Sequence, residues 1–117
     1  MSQKLPKKLR LCDDRLIEQL FKKGKRIQHG VVSFKCLPDD GFQVGFGAPK
    51  KRFPKAVERN LLKRRLRESF RLHYKEILGE EPRGCGYFVF NGTTETPFHE
   101  IDKAMVEVLN SWKALLS

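Results

Sequence analysis

Cysteine, histidine and acid are all scarce in this chain of 117 residues. Cys12, Cys36 and Cys85 are odd in number and far apart. They suit neither a disulfide framework nor a zinc site, and they fit a reducing cytoplasm. His29, His73 and His99 fall on three different elements, with no H-x-x-H or C-x-x-C spacing anywhere. Asp13–Asp14 and Asp39–Asp40 are adjacent pairs whose side chains point apart, and they read as a helix cap and a turn. Ser33 and Ser69 have no base near them in sequence, and no glycine-rich phosphate loop occurs. A protein-borne catalytic constellation is therefore not expected, and a free-standing metal-dependent nuclease lacks its carboxylates. No apolar run approaches the roughly 18 residues of a membrane span. The opening MSQKLPKKLRL carries charge without an apolar core behind it, so no secretion signal is expected.

Aromatic and basic residues are plentiful. Nine phenylalanines and 39% hydrophobic content support one folded domain over residues 1–117. Residues 1–11 read as a basic, extended leader. Asp13 or Asp14 can cap a first helix, whose apolar stripe is Leu16, Ile17, Leu20 and Phe21 and whose stop is Gly24. Val31–Leu37 and Phe42–Phe46, joined by Pro38-Asp39-Asp40-Gly41, read as an antiparallel hairpin.

A long helix is predicted from about Lys55 to Ile77, with Val57, Leu61, Leu62, Leu66, Phe70 and Tyr74 as its buried stripe. Gly84–Phe90 reads as a third strand. Thr96 and Pro97 signal the N-cap and first position of a last helix, whose apolar face is Ile101, Met105, Val108, Leu109, Trp112, Leu115 and Leu116. The order αββαβα predicts an α+β sandwich, a small mixed sheet with packed helices.

The charge is concentrated. Lys50–Lys75 holds eleven Lys and Arg against Glu58 and Glu68, a surplus of nine in a chain whose net charge is +10. Such a footprint calls for a partner with closely spaced negative charge, and nucleic acid fits. On the helix, Arg59, Lys63, Arg67 and Arg71 step by four and climb one side, flanked by Asn60 and Arg64. Guanidinium groups about 6 Å apart on a rigid rod suit a track of phosphates. Asn60 can donate and accept, so it suits a base edge or a 2′-hydroxyl. A merely solvated helix face would mix its signs more evenly.

Lys50 and Lys51, followed by Ala56, Val57, Arg59, Asn60, Lys63, Arg64, Arg67, Glu68, Phe70 and Arg71, form a pattern that resembles the arginine-rich signature helix of the bacterial ribonuclease P protein subunit. Leu5, Pro6, Lys7, Arg10 and Leu11 resemble that family's leader. Phe21, Lys22 and Gly24 resemble the end of its first helix, and Val44–Phe46 its second strand. The resemblance covers about residues 4–116. It implies a sandwich of the type found in the second domain of a small-subunit ribosomal protein, with a left-handed crossover between parallel strands.

In function, the resemblance implies a small partner of a large catalytic RNA. Together they remove the 5′ leader of precursor tRNA by endonucleolytic hydrolysis, in the cytoplasm, with Mg²⁺ held by the RNA and no membrane or DNA partner. Arg59, Asn60, Lys63, Arg64 and Arg67 are implied to face the catalytic RNA. Lys50 and Lys51 lie on a basic loop, and Arg52, Lys55 and Arg71 complete that candidate surface. Ile17, Phe21 and Phe34 are implied to line a cleft for the leader, although Ile17 stands where the family commonly has Phe. From the residues alone, Phe21 and Phe34 read more readily as core.

One alternative is a general structured-RNA binder, such as a ribosomal protein or RNA chaperone. Another is a DNA-binding basic helix, but Gly79 and Pro82 stop the helix before any zipper could start.

Overall fold

The computed structural model describes residues 14–116. Cys12, Asp13 and the predicted leader at 1–11 lie outside them. The elements are α1 (Asp14–Lys23), β1 (Lys25–His29), β2 (Val32–Leu37), β3 (Phe42–Gly47), α2 (Ala56–Leu78), β4 (Gly84–Phe90) and α3 (Phe98–Leu116). Every predicted element is present, and β1 is added ahead of the predicted strands. β1 was not legible because Lys25–His29 has a single apolar residue, Ile27. It forms by pairing antiparallel with β2, through a two-residue turn whose first residue, Gly30, has φ +53°. Tight hairpins require that sign of φ there.

The four strands lie in the order β1-β2-β4-β3. β2 pairs antiparallel with β4, and β4 pairs parallel with β3. The predicted hairpin of β2 with β3 is therefore corrected: β4 lies between them. GCGYFVF buries residues on both faces, the pattern of a central strand. The parallel pair needs a long crossover, which α2 supplies. Asp39 Oδ2 accepts the Gly41 N–H at 3.1 Å, so the connection from β2 to β3 is the predicted turn.

One face of the sheet carries the core. Val32, Phe34, Cys36, Phe42, Val44, Phe88 and Phe90 meet α2 and α3 there. Leu62, Leu66, Phe70 and Tyr74 supply α2's side, and Ile101, Met105, Val108, Leu109 and Trp112 supply α3's. Two predicted stripes are narrower than expected. Val57 is 80% exposed and Leu61 37%, because 100° per residue turns both about 160° away from the stripe of Leu62, Leu66, Phe70 and Tyr74. Leu115 and Leu116 are exposed at the end of α3. Thr96 does not cap α3: its hydroxyl accepts the Thr93 N–H at 2.9 Å, and the Pro97 carbonyl takes the first helical N–H groups.

Among the described residues, the opposite face is covered only at one end. There α1 sets Leu20, with Leu16 and Ile17, against Cys85, Leu37 and Tyr87. Cys36 and Cys85 are free thiols on opposite faces, and burial pushes both above the usual thiol range.

Candidate nucleic-acid interface

The register of α2 follows from its apolar positions. With Leu62, Leu66, Phe70 and Tyr74 inward, a rotation of 100° per residue places Asn60, Lys63, Arg64, Arg67 and Arg71 on one flank. That flank lies on the side of the edge strand β3, since the Arg67 guanidinium stands 5.9 Å from the Phe46 ring centre. The ten basic-surface residues predicted from the sequence fall into two groups. Lys50, Lys51, Lys55, Asn60 and Arg64 are exposed, and Lys63 is half-buried. The other four also do structural work. Arg59 donates at 2.8 Å to the carbonyls of both Phe53 and Pro54. Arg52 donates at 2.7 Å to the Asn91 carbonyl. Arg67 lies over Phe46, and Arg71 pairs with Glu68 at 2.6 Å. The hydrogen bond from Arg71 holds the Glu68 carboxyl below the usual carboxylate range.

The loop between β3 and α2 is pinned from several sides. The Pro49 carbonyl accepts the N–H groups of Arg52 and Phe53. The Phe53 ring is buried against Phe90, 5.9 Å between centres. Arg59 holds the loop's exit. Lys50 and Lys51 therefore project from a braced turn, which reduces the ordering entropy of any contact they make.

The open part of the second sheet face forms a groove of two adjoining hollows, about 290 and 150 Å³. Phe21, Tyr87 and Val89 line both; Gly47, Ala48 and Pro49 complete the first, and Arg26, Ser33, Phe34, Lys35 and Asn91 the second. Phe21 is 47% exposed and meets Tyr87 edge-on at 5.4 Å. Lys35 Nζ lies 5.5 Å over the Phe21 ring and donates at 2.7 Å to the Phe21 carbonyl, so a cation sits at the negative end of α1. Tyr87 lies across Gly47, where any Cβ would stand 2.5 Å from its hydroxyl. Burial raises the Tyr87 phenol above its usual range. Pro49 leads directly into Lys50 and Lys51, so groove and basic loop adjoin.

Phe34 is the misplaced member of the predicted cleft. It is 1% exposed, and its ring lies on the core face, 4.5 Å from Phe88 and 4.7 Å from Trp112. Phe34 borders the second hollow, but its ring is buried on the core side of the sheet. Strand alternation is the reason: the neighbours Ser33 and Lys35 point into the groove, so Phe34 cannot. Ile17 is half-buried on the sheet side of α1, packed against Leu20 and Cys85. Tyr87, Val89, Lys35, Ser33 and Asn91 were missed. The signal was the same alternation, since Phe88 and Phe90 facing the core turn Tyr87 and Val89 outward.

Ser69, His73 and Asp102 converge. His73 lies one helical turn from Ser69 on α2, so the expectation of no base near Ser69 is corrected; Asp102 comes from α3. Ser69 Oγ donates to Asp102 Oδ1 at 2.7 Å, and His73 Nε2 lies 2.9 Å from both carboxylate oxygens. The carboxylate sits between serine and imidazole, and Ser69 is fully buried. The imidazole therefore has no access to the hydroxyl proton, and the cluster is a polar clamp between α2 and α3. Asp102→Ala should destabilise the domain by roughly 1–3 kcal/mol by stranding the Ser69 hydroxyl. Urea unfolding measures this, and Asp102→Asn, which keeps an acceptor, should cost less. An unchanged midpoint for Asp102→Ala would show that the clamp contributes nothing.

A basic helix beside an open sheet edge, with an aromatic groove on the other face, is an architecture suited to a polyanion with unpaired bases. The family model described as ribonuclease P matches residues 5–113. The ribonuclease P protein component of Finegoldia magna is 29% identical over 107 residues, 89% of this chain and 90% of that one. The component from Nitrosococcus oceani is 34% identical over 73 residues, 61% of this chain and 60% of that one. Among solved structures, a Staphylococcus aureus RNase P protein matches with a TM-score of 0.73 at 23% identity, covering 90% of this chain and 95% of that one. The Thermotoga maritima RNase P protein gives 0.72 at 24% identity, covering 87% and 96%. This chain belongs to the ribonuclease P protein family.

Proposed function

We propose that this chain is the protein subunit of a cytoplasmic ribonuclease P ribonucleoprotein, partnered by the catalytic RNA and by precursor tRNA rather than by DNA or a membrane. The basic flank of α2 and the braced Lys50–Lys51 turn hold the catalytic RNA. The groove of Phe21, Tyr87 and Val89 takes the single-stranded 5′ leader of precursor tRNA. The observation that carries this reading is the junction of the two surfaces at Pro49, which sets an open aromatic groove beside the basic loop. Aromatic faces hold unpaired bases, while Lys and Arg follow the backbone.

Endonucleolytic hydrolysis at the leader junction is assigned to the RNA, together with the Mg²⁺ ions that serve it. Among the described residues, no three His, Cys, Asp or Glu side chains gather as a metal site. The protein's part is to bind, orient and screen phosphate charge. It should therefore lower the Mg²⁺ concentration that the reaction requires.

The test reconstitutes the protein with a bacterial ribonuclease P RNA and a 5′-extended precursor tRNA at low Mg²⁺. Cleavage is expected with both components and not with protein alone. Robust cleavage by the protein without RNA would overturn the assignment. Equal binding to unrelated structured RNAs, with no stimulation of cleavage, would favour a general RNA binder. Tyr87→Ala should weaken precursor tRNA binding to the holoenzyme by roughly 5- to 150-fold, the worth of one stacked base. Mature tRNA, which lacks the leader, should be unaffected.

A further inference from the structure

Arg52 lies in the basic loop, where charge alone would make it one more phosphate contact. Its geometry differs from that of its neighbours. Its guanidinium carbon lies 5.9 Å from the Phe53 ring centre, and Nη1 donates at 2.7 Å to the main-chain carbonyl of Asn91, 39 residues away. Asn91 follows the last residue of β4. Its N–H donates at 2.7 Å to the Val31 carbonyl, and its side-chain amide donates to Ser33 Oγ. Ser33 and Asn91 both line the groove. A continuous chain of hydrogen bonds thus joins the loop that carries Lys50 and Lys51 to the groove floor, through the one residue that ends the central strand.

We propose that Arg52 is a positioning residue: through Asn91 it sets Ser33 and the end of the groove relative to the basic loop, so that a leader in the groove is registered against the catalytic RNA on the loop. This rests on the groove binding the leader. Arg52 has two physical reasons to hold Asn91 although it is exposed. A planar guanidinium can lie against Phe53 and still donate in its own plane, which an ammonium cannot do. The Asn91 carbonyl, just past the end of β4, is a main-chain acceptor that Arg52 fills.

The experiment measures binding of precursor and mature tRNA to holoenzymes carrying Arg52→Ala, Asn91→Ala, Ser33→Ala, and Arg52→Ala with Asn91→Ala. Thermal unfolding of each variant is recorded. The precursor-to-mature selectivity should fall roughly 2- to 12-fold in each single variant, the range of one hydrogen bond. The double variant should lose no more than the worse single, because one connection has been cut twice. The salt dependence of binding to the catalytic RNA should be unchanged in Arg52→Ala. If Arg52 instead contacts phosphate, that log–log slope flattens by about 0.7 to 0.9 and both tRNAs weaken together. That result overturns the proposal, as do additive losses in the double variant. Should Asn91→Ala fail to fold, the cycle of Arg52→Ala with Ser33→Ala cuts the same chain from its other end and decides in the same way. Tyr87→Ala separates the two readings. If it too leaves selectivity unchanged, the groove does not hold the leader; if it lowers selectivity while Arg52 and Asn91 do not, only the registration fails.

Discussion

Phe34→Ala is expected to destabilise the domain by about 3–5 kcal/mol, the range for removing a buried aromatic ring. The ring is 1% exposed and wedged between Phe88 and Trp112. It also occupies the space where residue 86 would carry a Cβ, so Gly86 exists to let it lie against β4. Neighbours held by a sheet and by α3 have little freedom to collapse into the hole. Against a total stability of about 5–15 kcal/mol for a domain of ordinary stability, this is a large share. Urea unfolding should show a lower midpoint with the slope preserved, which marks a change of stability and not of compactness. Tyr87→Ala is the contrast, since Tyr87 faces the groove and its loss should show in tRNA selectivity. A Phe34→Ala protein of normal stability that had lost precursor selectivity would put the ring in the groove and refute the placement of the core.

Removing four exposed cations together, Lys50, Lys51, Lys55 and Arg64, all to Ala, should flatten the salt dependence of catalytic-RNA binding by about 3 in log–log slope. Each phosphate contact releases counterions, and four such contacts account for that change. All four side chains are exposed, so circular dichroism and the unfolding midpoint should stay near native. Arg59→Ala serves as a control of a different kind. It removes two hydrogen bonds to the Phe53 and Pro54 carbonyls, so it should loosen the loop and shift stability as well as binding. An unchanged slope in the fourfold variant would place the RNA on another face of the domain.

Much of this molecule is written locally. Leu62, Leu66, Phe70 and Tyr74 repeat at helical spacing, so the register of α2, and with it the direction of Asn60, Arg64 and Arg67, follows from rotation alone. The turn at Asp39–Gly41 and the alternation of β4 are local in the same way. The family signature is equally local, since it lies within one helix and the loop before it.

What escaped is non-local. Arg52 and Arg59 look like any other surface arginine until the Asn91, Phe53 and Pro54 carbonyls are brought within reach. Ser69 meets Asp102 across 33 residues of sequence. β1 has almost no apolar pattern and forms because β2 offers an unpaired edge.

Helix register, turn chemistry, charge and family membership were thus determined by the sequence by itself, because each depends on residues a few positions apart. The tertiary structure alone decided the insertion of β4 between β2 and β3, and hence which face of β2 became core. Strand pairing is a competition among edges, and a strand apolar on both faces gains most where both are covered. That one outcome sent Phe34 inward and Tyr87 outward, and it moved the aromatic platform of the groove from β2 to β4.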